Sequence, residues 1–423
     1  MLAEMVTSFG DQRIMNLNIL DQPMQTEATL SDQLRNNPRS KDVLKYLFYQ
    51  SSATLKEVSA LLDITHPTAA KLIEALQQAN IVQIQEESRS SGGRRSAQYQ
   101  LNPHAGYILC VDAGRLNTKL ALMNLHREIL AYRHFRSRVF KNDDGFIPLL
   151  KDNLNDMLAE TNIPKAKIIG MGIGIPGFVD SANGTSYSFL DYFGKPIKDV
   201  LEENFDLPVV ISNDVNMMAH AEHHFGMAQH YKDTLVLNLG WGIGMGFIFN
   251  DAVYMGGDGF AGEFGHIQVD PAGVACHCGK VGCLETVASG EAIARIAIKR
   301  LQEGEKSLLA YDYSEDLTQI TARKIVSVAL EGDEFSIQLL EESGEAIGKC
   351  LAIVLQVLNP KLIVLGGKHS RAGKLLTNSI EKCITRYTNP KIGEGIVIEA
   401  STLGENSNML GAAGLVIEKL VCS

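Results

Sequence analysis

Residues 263–285 read EFGHIQVDPAGVACHCGKVGCLE. Within this stretch His266, Cys276, Cys278 and Cys283 are separated by 10, 2 and 5 residues, close enough for one tetrahedral ion to reach all four. Three thiolates and an imidazole suit Zn²⁺, which accepts soft sulfur and borderline nitrogen without a d-electron preference for geometry. Four protein ligands close the shell and leave no position for an activated water, so the expectation is a structural zinc rather than a hydrolytic one. The alternative is a group of buried, unligated thiols, since free cysteine is often buried. Gly279 and Gly282, set among the cysteines, favour a tight ligand-bearing knuckle.

Glu263-Phe-Gly-His266, followed by Cys-His-Cys-Gly-Lys-Val-Gly-Cys-Leu-Glu285, resembles the zinc- and sugar-binding segment of the ROK family, which groups sugar kinases with sugar-responsive transcription repressors. The resemblance implies that His266 ligates zinc through one ring nitrogen and faces a sugar with the other. It also implies that Glu263 and Glu285 accept hydrogen bonds from sugar hydroxyls. The chemistry is consistent, because a carboxylate can accept two hydroxyls at once and a metal-fixed imidazole has a defined tautomer.

At 423 residues the chain is long enough for two or three domains. Its 45% hydrophobic and 21% charged residues are ordinary for a globular protein. No uncharged apolar run of about 18 residues occurs, so no membrane span is expected. The opening residues carry Glu4, Asp11 and Arg13 and lack a basic start with an unbroken apolar core, so no signal peptide is expected. Cys110, Cys350, Cys383 and Cys422 show no disulfide spacing, and a reducing cytoplasm fits. The net charge of −10 argues against nucleic acid, but it is uneven. Residues 35–103 hold nine Lys/Arg against six Asp/Glu, which leaves −13 for the remainder. A basic module on an acidic body is the pattern of a DNA-binding domain joined to a ligand-binding one.

Residues 1–34 are polar and weakly periodic and read as an arm. From Ser40, a candidate N-cap, Val43, Leu44, Leu47 and Phe48 fall on one helical face. A second helix begins after Ser52 with Leu55, Val58, Leu61 and Leu62 turned inward. After a short turn Thr65 can cap a third helix, with Pro67 in its first turn, where a missing N–H costs nothing. Ala69, Leu72, Ile73 and Leu76 form its buried stripe. Three short helices with a tight turn between the last two describe a helix-turn-helix. The strand IVQIQ, the basic turn ESRSSGGRRS and the strand AQYQLN then add a hairpin wing. Residues 35–103 are thus expected to be a winged helix-turn-helix. Arg89, Arg94 and Arg95 at the tip can reach phosphates or a narrow minor groove, and His66, Thr68, Ala69 and Lys71 are offered to the major groove. A winged module used only for protein contact is the alternative. This segment, with its Gly-Arg wing and closing Leu-Asn-Pro at 101–103, resembles the N-terminal winged helix of ROK repressors.

Beyond His104 the composition becomes α/β. YILCVDAGRLNTKLALMNL reads as a strand hairpin with its turn at Gly114–Asn117, and DTLVLNLGWGIGMGFIFNDAVYMG as another around a glycine-rich turn. AKIIGMGIGI, LPVVIS and NPKLIVLGG are further strands, and GAAGLVIEKL is a closing helix. The glycine pattern recurring near residues 112 and 240 implies two similar halves around a cleft. Residues 104–423 resemble the two-lobed actin/hexokinase-type (ribonuclease-H-like) α/β fold of ROK kinases, with the cysteine knuckle inserted.

The resemblance places sugar contacts at Asn213 and Asp214 after an apolar strand, with Asp214 as the proton-accepting base in the kinases. Gly177 allows close backbone approach to a ligand. Asp214 as a simple helix N-cap is the alternative. The phosphate side departs from the kinase pattern. Where those kinases carry Asp-x-Gly-Gly-Thr, this chain has Asp112, Ala113, Gly114, Arg115 and Leu116; where they carry Gly-Thr-Gly, it has Gly240, Trp241 and Gly242. Both turns lose a hydroxyl donor, and phosphoryl transfer rests almost wholly on positioned donors and Mg²⁺. Gly366-Gly367, like the adenosine-side glycine pair, remains. Bound ATP/Mg is therefore not expected. The sequence points to a sugar-responsive transcriptional regulator, a repressor, that binds operator DNA as a homodimer or homotetramer and takes a sugar or sugar phosphate as effector. The rivals are an ATP-dependent hexose or N-acetylhexosamine kinase and a regulator controlled by a protein partner from sugar transport.

Overall fold

The computed structural model describes Leu30 and residues 37–85, 96–137, 145–192, 194–313 and 315–422. Helix α1 (Pro38–Gln50), strand β1 (Ala53–Thr54), helices α2 (Leu55–Leu62) and α3 (His66–Gln78), and strands β2 (Val82–Ile84) and β3 (Gln98–Leu101) follow in order. Their sheet runs β1-β3-β2, both pairs antiparallel. α1 starts earlier than expected: Asn37 is the N-cap, Pro38 presets the first-turn φ, and Ser40 is buried inside the helix. At α2, Thr54 Oγ1 accepts the Glu57 N–H at 3.3 Å while the Glu57 carboxylate accepts the Thr54 N–H at 2.7 Å, a reciprocal capping box. Only Val58 of α2 is fully buried. Leu61 is 42% exposed, because a two-turn helix touches its neighbours along one narrow line.

Two sheets with the same connectivity follow. In the first, β4 (Tyr107–Ala113), β5 (Asn117–Asn124) and β6 (Ile129–Arg136) form an antiparallel meander. β7 (Ile168–Ile175) and β8 (Val209–Asn213) add in parallel beside β4, giving the order β8-β7-β4-β5-β6. In the second, β9 (Thr234–Leu239), β10 (Ile243–Phe249) and β11 (Ala252–Tyr254) repeat the meander. β12 (Leu362–Gly366) and β13 (Val397–Ala400) repeat the parallel addition, in the order β11-β10-β9-β12-β13. The parallel strands β7 and β12 are continuous apolar runs because they are covered on both faces, whereas β13 at the sheet edge is half-exposed.

The coverings differ. One face of the first sheet buries Leu109, Val111, Met171 and Ile173 under α4 (Phe146–Thr161) and the helix Ile197–Phe205. The other face shares one core with the N-terminal helices: Ile108, Cys110, Ala121 and Met123 pack in the same cluster as Val43, Leu44, Leu47 and Phe48. Leu235, Leu237, Ile363 and Leu365 of the second sheet pack in one core with the helices Gly290–Gln302 and Ala322–Leu330 and with α6 (Glu334–Leu358). Between the sheets lie α5 (Asp214–Phe225) and α7 (Ser407–Val416), followed by a π-helical segment Ile417–Val421. Their crossing is close because Gly411 faces α5; a Cβ there would lie 2.1 Å from the Met217 carbonyl oxygen. Gly411→Ala is therefore expected to cost about 1–3 kcal/mol of stability through overpacking. Gly393→Ala, where a Cβ meets nothing within 4 Å, should leave thermal denaturation nearly unchanged.

Candidate functional site

The cysteine cluster is built by a short irregular segment between β11 and the helix Gly290–Gln302. Bridges Gln268↔Cys283 and Ala275↔Val281 fold it back on itself. The Cys276 N–H donates to the Lys280 carbonyl at 2.7 Å and the Gly279 N–H to the Cys276 carbonyl at 3.0 Å, which turns the chain tightly between the cysteines. Gly282 sits at φ +71, and a Cβ there would fall 1.4 Å from the Asp270 carbonyl oxygen, so no other residue fits this turn. His266 Nδ1 lies 3.5 Å from Cys276 Sγ, and Cys278 Sγ lies 3.6 Å from Cys283 Sγ. All four ligand atoms are within 4.8 Å of one another. Burial pushes the Cys283 thiol up to about 12 and lowers the basicity of His266. Burial likewise disfavours the Cys276 thiolate, while the Lys280 N–H and charge favour that of Cys278, and a divalent cation would balance the three sulfurs together. The donor set and its spacing fit zinc.

The other edge of the same imidazole points into the cleft between the sheets. His266 Nε2 is 3.5 Å from Glu263 Oε2. Glu285 Oε2 accepts the Ile243 N–H at 3.1 Å, which ties the carboxylate to the start of β10. Opposite them, β8 runs straight into α5. Asn213 rather than Asp214 is the N-cap: its Oδ1 accepts the Val215 and Asn216 N–H groups at 2.8 and 3.3 Å, and its Nδ2 donates to the Gly177 carbonyl at 2.8 Å. The capping alternative for Asp214 is thereby removed, and its carboxylate is left 3.5 Å from Asn238 Nδ2. Burial, then the charge of Asp112, pushes Asp214 up to about 7. Burial, then Glu285, pushes Glu263 up to about 7. Hydroxyl donors from a polyol would favour the ionised form of both.

The two glycine turns meet across this cleft. The Arg115 guanidinium, from the β4–β5 turn, lies 4.6 Å from the Phe189 ring and 4.2 Å from the Trp241 ring of the β9–β10 turn. Trp241 in turn sits 5.8 Å from the His277 ring of the knuckle. A guanidinium between two aromatic faces is a cation–π arrangement of roughly 1 kcal/mol per ring, more when desolvated. Leu116 is exposed beside it. Asp112 is engaged by Lys119 Nζ at 3.5 Å and Asn408 Nδ2 at 3.2 Å. Gly114 approaches the Asn117 carbonyl, Gly240 accepts the Gly290 N–H through its own carbonyl, and a Cβ at Gly242 would meet Glu285 Oε2 at 2.5 Å. Phe189, Asn238 and His277 were not picked out from the sequence, since nothing in local spacing links them to the turns.

On α3, His66, Thr68 and Lys71 are exposed on one side, with Thr65 Oγ1 2.9 Å from Thr68 Oγ1. Ala69 is fully buried in the packing of the helices. It is removed from the candidate DNA contacts, because its methyl serves the buried stripe and cannot also reach a groove. Arg89, Arg94 and Arg95 lie outside the described residues.

The sequence profile of the ROK family matches residues 108–419. A glucokinase from Halalkalibacterium halodurans is 35% identical over 311 residues, 72% of this chain and 93% of that protein. A xylose repressor from Caldicellulosiruptor bescii is 27% identical over 381 residues, 90% of this chain and 95% of that protein. A match of 381 residues cannot fit between residue 108 and the end of the chain, so it runs into the N-terminal helices. A solved ROK family transcriptional regulator, described as a homolog of the E. coli MLC protein, superposes with a TM-score of 0.74 at 26% identity, covering 91% of this chain and 98% of that one. No helix among the described residues is long and apolar enough to cross a membrane.

Proposed function

The chain belongs to the ROK family, and we propose that within it this protein is a sugar-responsive transcriptional regulator, a repressor of operator DNA. Residues 35–103 serve as the winged helix-turn-helix, residues 1–34 as an arm, and residues 104–423 as the sugar-binding body. The observation that carries the reading is Arg115 held between Phe189 and Trp241. Of the three residues that depart from the kinase pattern, Arg115 and Trp241 touch each other and Leu116 is exposed beside them, so the turns that would cradle a nucleotide's phosphates are joined to one another. With Asp112 engaged by Lys119 and Asn408, little remains to hold Mg²⁺ and ATP. The match to the xylose repressor through the N-terminal helices supports the same reading.

In this proposal Asn213, Asp214, Glu263, His266 and Glu285 hold a sugar or sugar phosphate, with Gly177 backing Asn213. Zinc held by His266, Cys276, Cys278 and Cys283 fixes the His266 ring. His66, Thr68 and Lys71 meet the major groove, and Arg89, Arg94 and Arg95 meet the backbone. Recognition of two half-sites one DNA turn apart asks for a homodimer or homotetramer in the cytoplasm. Helix α5 joins the two functions. It begins at Asn213 and Asp214, and at its far end Phe225 lies 6.2 Å from the Phe48 ring and His224 stacks on Tyr49 of α1 at 4.0 Å. Sugar releases DNA by binding the non-DNA-competent arrangement more tightly, and the size of that difference sets the response.

The test begins with a thermal-shift screen of the full chain against sugars, sugar phosphates and Mg-ATP. Genomic fragments retained by the protein are then challenged with the stabilising ligand. The expected result is at least a tenfold loss of DNA affinity with that ligand, and no response to Mg-ATP. Arg94→Ala should weaken all fragments alike and reduce the salt slope by about one, whereas Lys71→Ala should relax the preference among fragments. Sugar-dependent ATP turnover that Asp214→Asn abolishes would instead make the protein a kinase.

A further inference from the structure

We propose that His220, His224 and Glu418 form a second transition-metal site, separate from the cysteine cluster, where helix α1 meets the C-terminal segment. His220 and His224 are one turn apart on α5, so both rings leave the same face of the helix. Glu418 comes from the π-helical segment, 198 residues from His220 in sequence. Its Oε2 is 3.2 Å from His220 Nε2 and its Oε1 is 3.7 Å from His224 Nε2. The three ligand atoms all lie within 4.8 Å of one another. Bonds of 2.0–2.2 Å at a tetrahedral angle separate ligand atoms by roughly 3.4 Å, so an ion can enter with small side-chain adjustments. Two imidazoles and a carboxylate, with remaining positions open to water, select a borderline divalent ion such as Zn²⁺, Co²⁺ or Ni²⁺.

Two of the three groups already hold the form a metal takes, and an entering ion would displace the proton that His220 shares with Glu418. Burial, then His220 and His223, pushes His224 down to about 3, which keeps its imidazole neutral. Burial alone would raise Glu418, but the hydrogen bond and charge of His220, then those of Lys45, hold it below the usual carboxylate range. The Tyr49 ring stacked on His224 at 4.0 Å fixes that ligand's orientation. A competing cation is already present: Lys45 Nζ lies 2.9 Å from Glu418 Oε1, on a side chain 42% exposed that can swing into solvent. A divalent ion would displace Lys45 from Glu418 while Tyr49 stays against His224. Binding would therefore alter how α1, and the helices after it, rest on the body of the protein.

The experiment is equilibrium dialysis of the full chain against excess free Zn²⁺ near neutral pH, counting ions per chain. The wild type should hold two, one tight and one weaker. His224→Gln and Glu418→Gln should each hold only the tight one while keeping the native circular dichroism. Lys45→Ala should tighten the weaker ion several-fold, an effect that a purely hydrogen-bonded cluster would not produce. His220→Gln serves as a third variant should either of the first two fail to fold. A wild type that saturates at one ion, or a weaker ion that survives in the folded variants with Lys45→Ala ineffective, overturns the assignment.

Discussion

Asp214→Asn is expected to make the sugar-free protein more heat-stable above pH 7 and to deprive it of its sugar. Asp214 titrates near 7 in the fold, against 3.8 for the free side chain. Between those values the folded state holds a proton that the unfolded chain has released, so stability falls as pH rises through the window and the penalty is complete above 7. At about 1.36 kcal/mol per pH unit the penalty could reach about 4 kcal/mol, and partial solvent access reduces it to about 2. Loss of a first-turn carboxylate at the N-terminus of α5 opposes this by only about 0.3–1 kcal/mol, so burial wins. Thermal denaturation should show the variant melting a few degrees higher at pH 8 and level with the wild type at pH 4. Calorimetric titration with the effector should show a loss of roughly 10- to 100-fold, the worth of a hydrogen bond to a charged group. A variant that is less stable at pH 8, or that binds sugar normally, would remove Asp214 from the site. Glu263, also near 7, predicts weaker sugar binding by the wild type as pH falls from 8 to 6, because a protonated carboxyl accepts fewer hydroxyls.

Cys283→Ser should abolish tight zinc binding and, through it, sugar binding. Cys283 is completely buried, pairs with Gln268, and is followed by Leu284, whose N–H donates to the Ile267 carbonyl at 2.8 Å. Serine cannot supply a thiolate, and structural zinc sites derive much of their order from the metal itself. Metal analysis should show at least a hundredfold weaker retention of the tight ion. Protease should cut within residues 267–285, and sugar affinity should fall at least tenfold because His266 and Glu285 are held by the same knuckle. DNA retention should persist, since the N-terminal helices pack on the first sheet rather than on the knuckle. Unchanged sugar affinity in a zinc-depleted variant would separate the two sites.

The sequence carried the parts of this protein that local chemistry writes. Cysteine and histidine spacing located the knuckle, because ligands for one ion must lie close in chain or in turn. Apolar runs bounded by glycines located the central strands of both sheets, because strands covered on two faces cannot alternate; the half-exposed edge strands β6 and β13 were not read. The recurrence of the glycine pattern announced two similar halves, and the shared strand order of the sheets matches it. Family resemblance then carried Asn213, Asp214, Glu263 and Glu285 onto their positions. Spacing placed Ala69 in the buried stripe of α3, where it lies, and its further assignment to the groove failed because one methyl cannot serve both faces.

Tertiary structure alone decided what distant residues do to one another. Arg115 read as a side chain in place of a phosphate-turn glycine and Trp241 as a lost donor, and only the meeting of the two turns set Arg115 against both Trp241 and Phe189. The His220 and His224 spacing was present in the sequence, but Glu418 reaches it only because α7 crosses α5 at Gly411 and carries the C-terminal segment past its end. Local order follows from side-chain periodicity within a few residues, whereas a cleft, a clasp or a shared ligand set depends on contacts that form only after the sheets have packed.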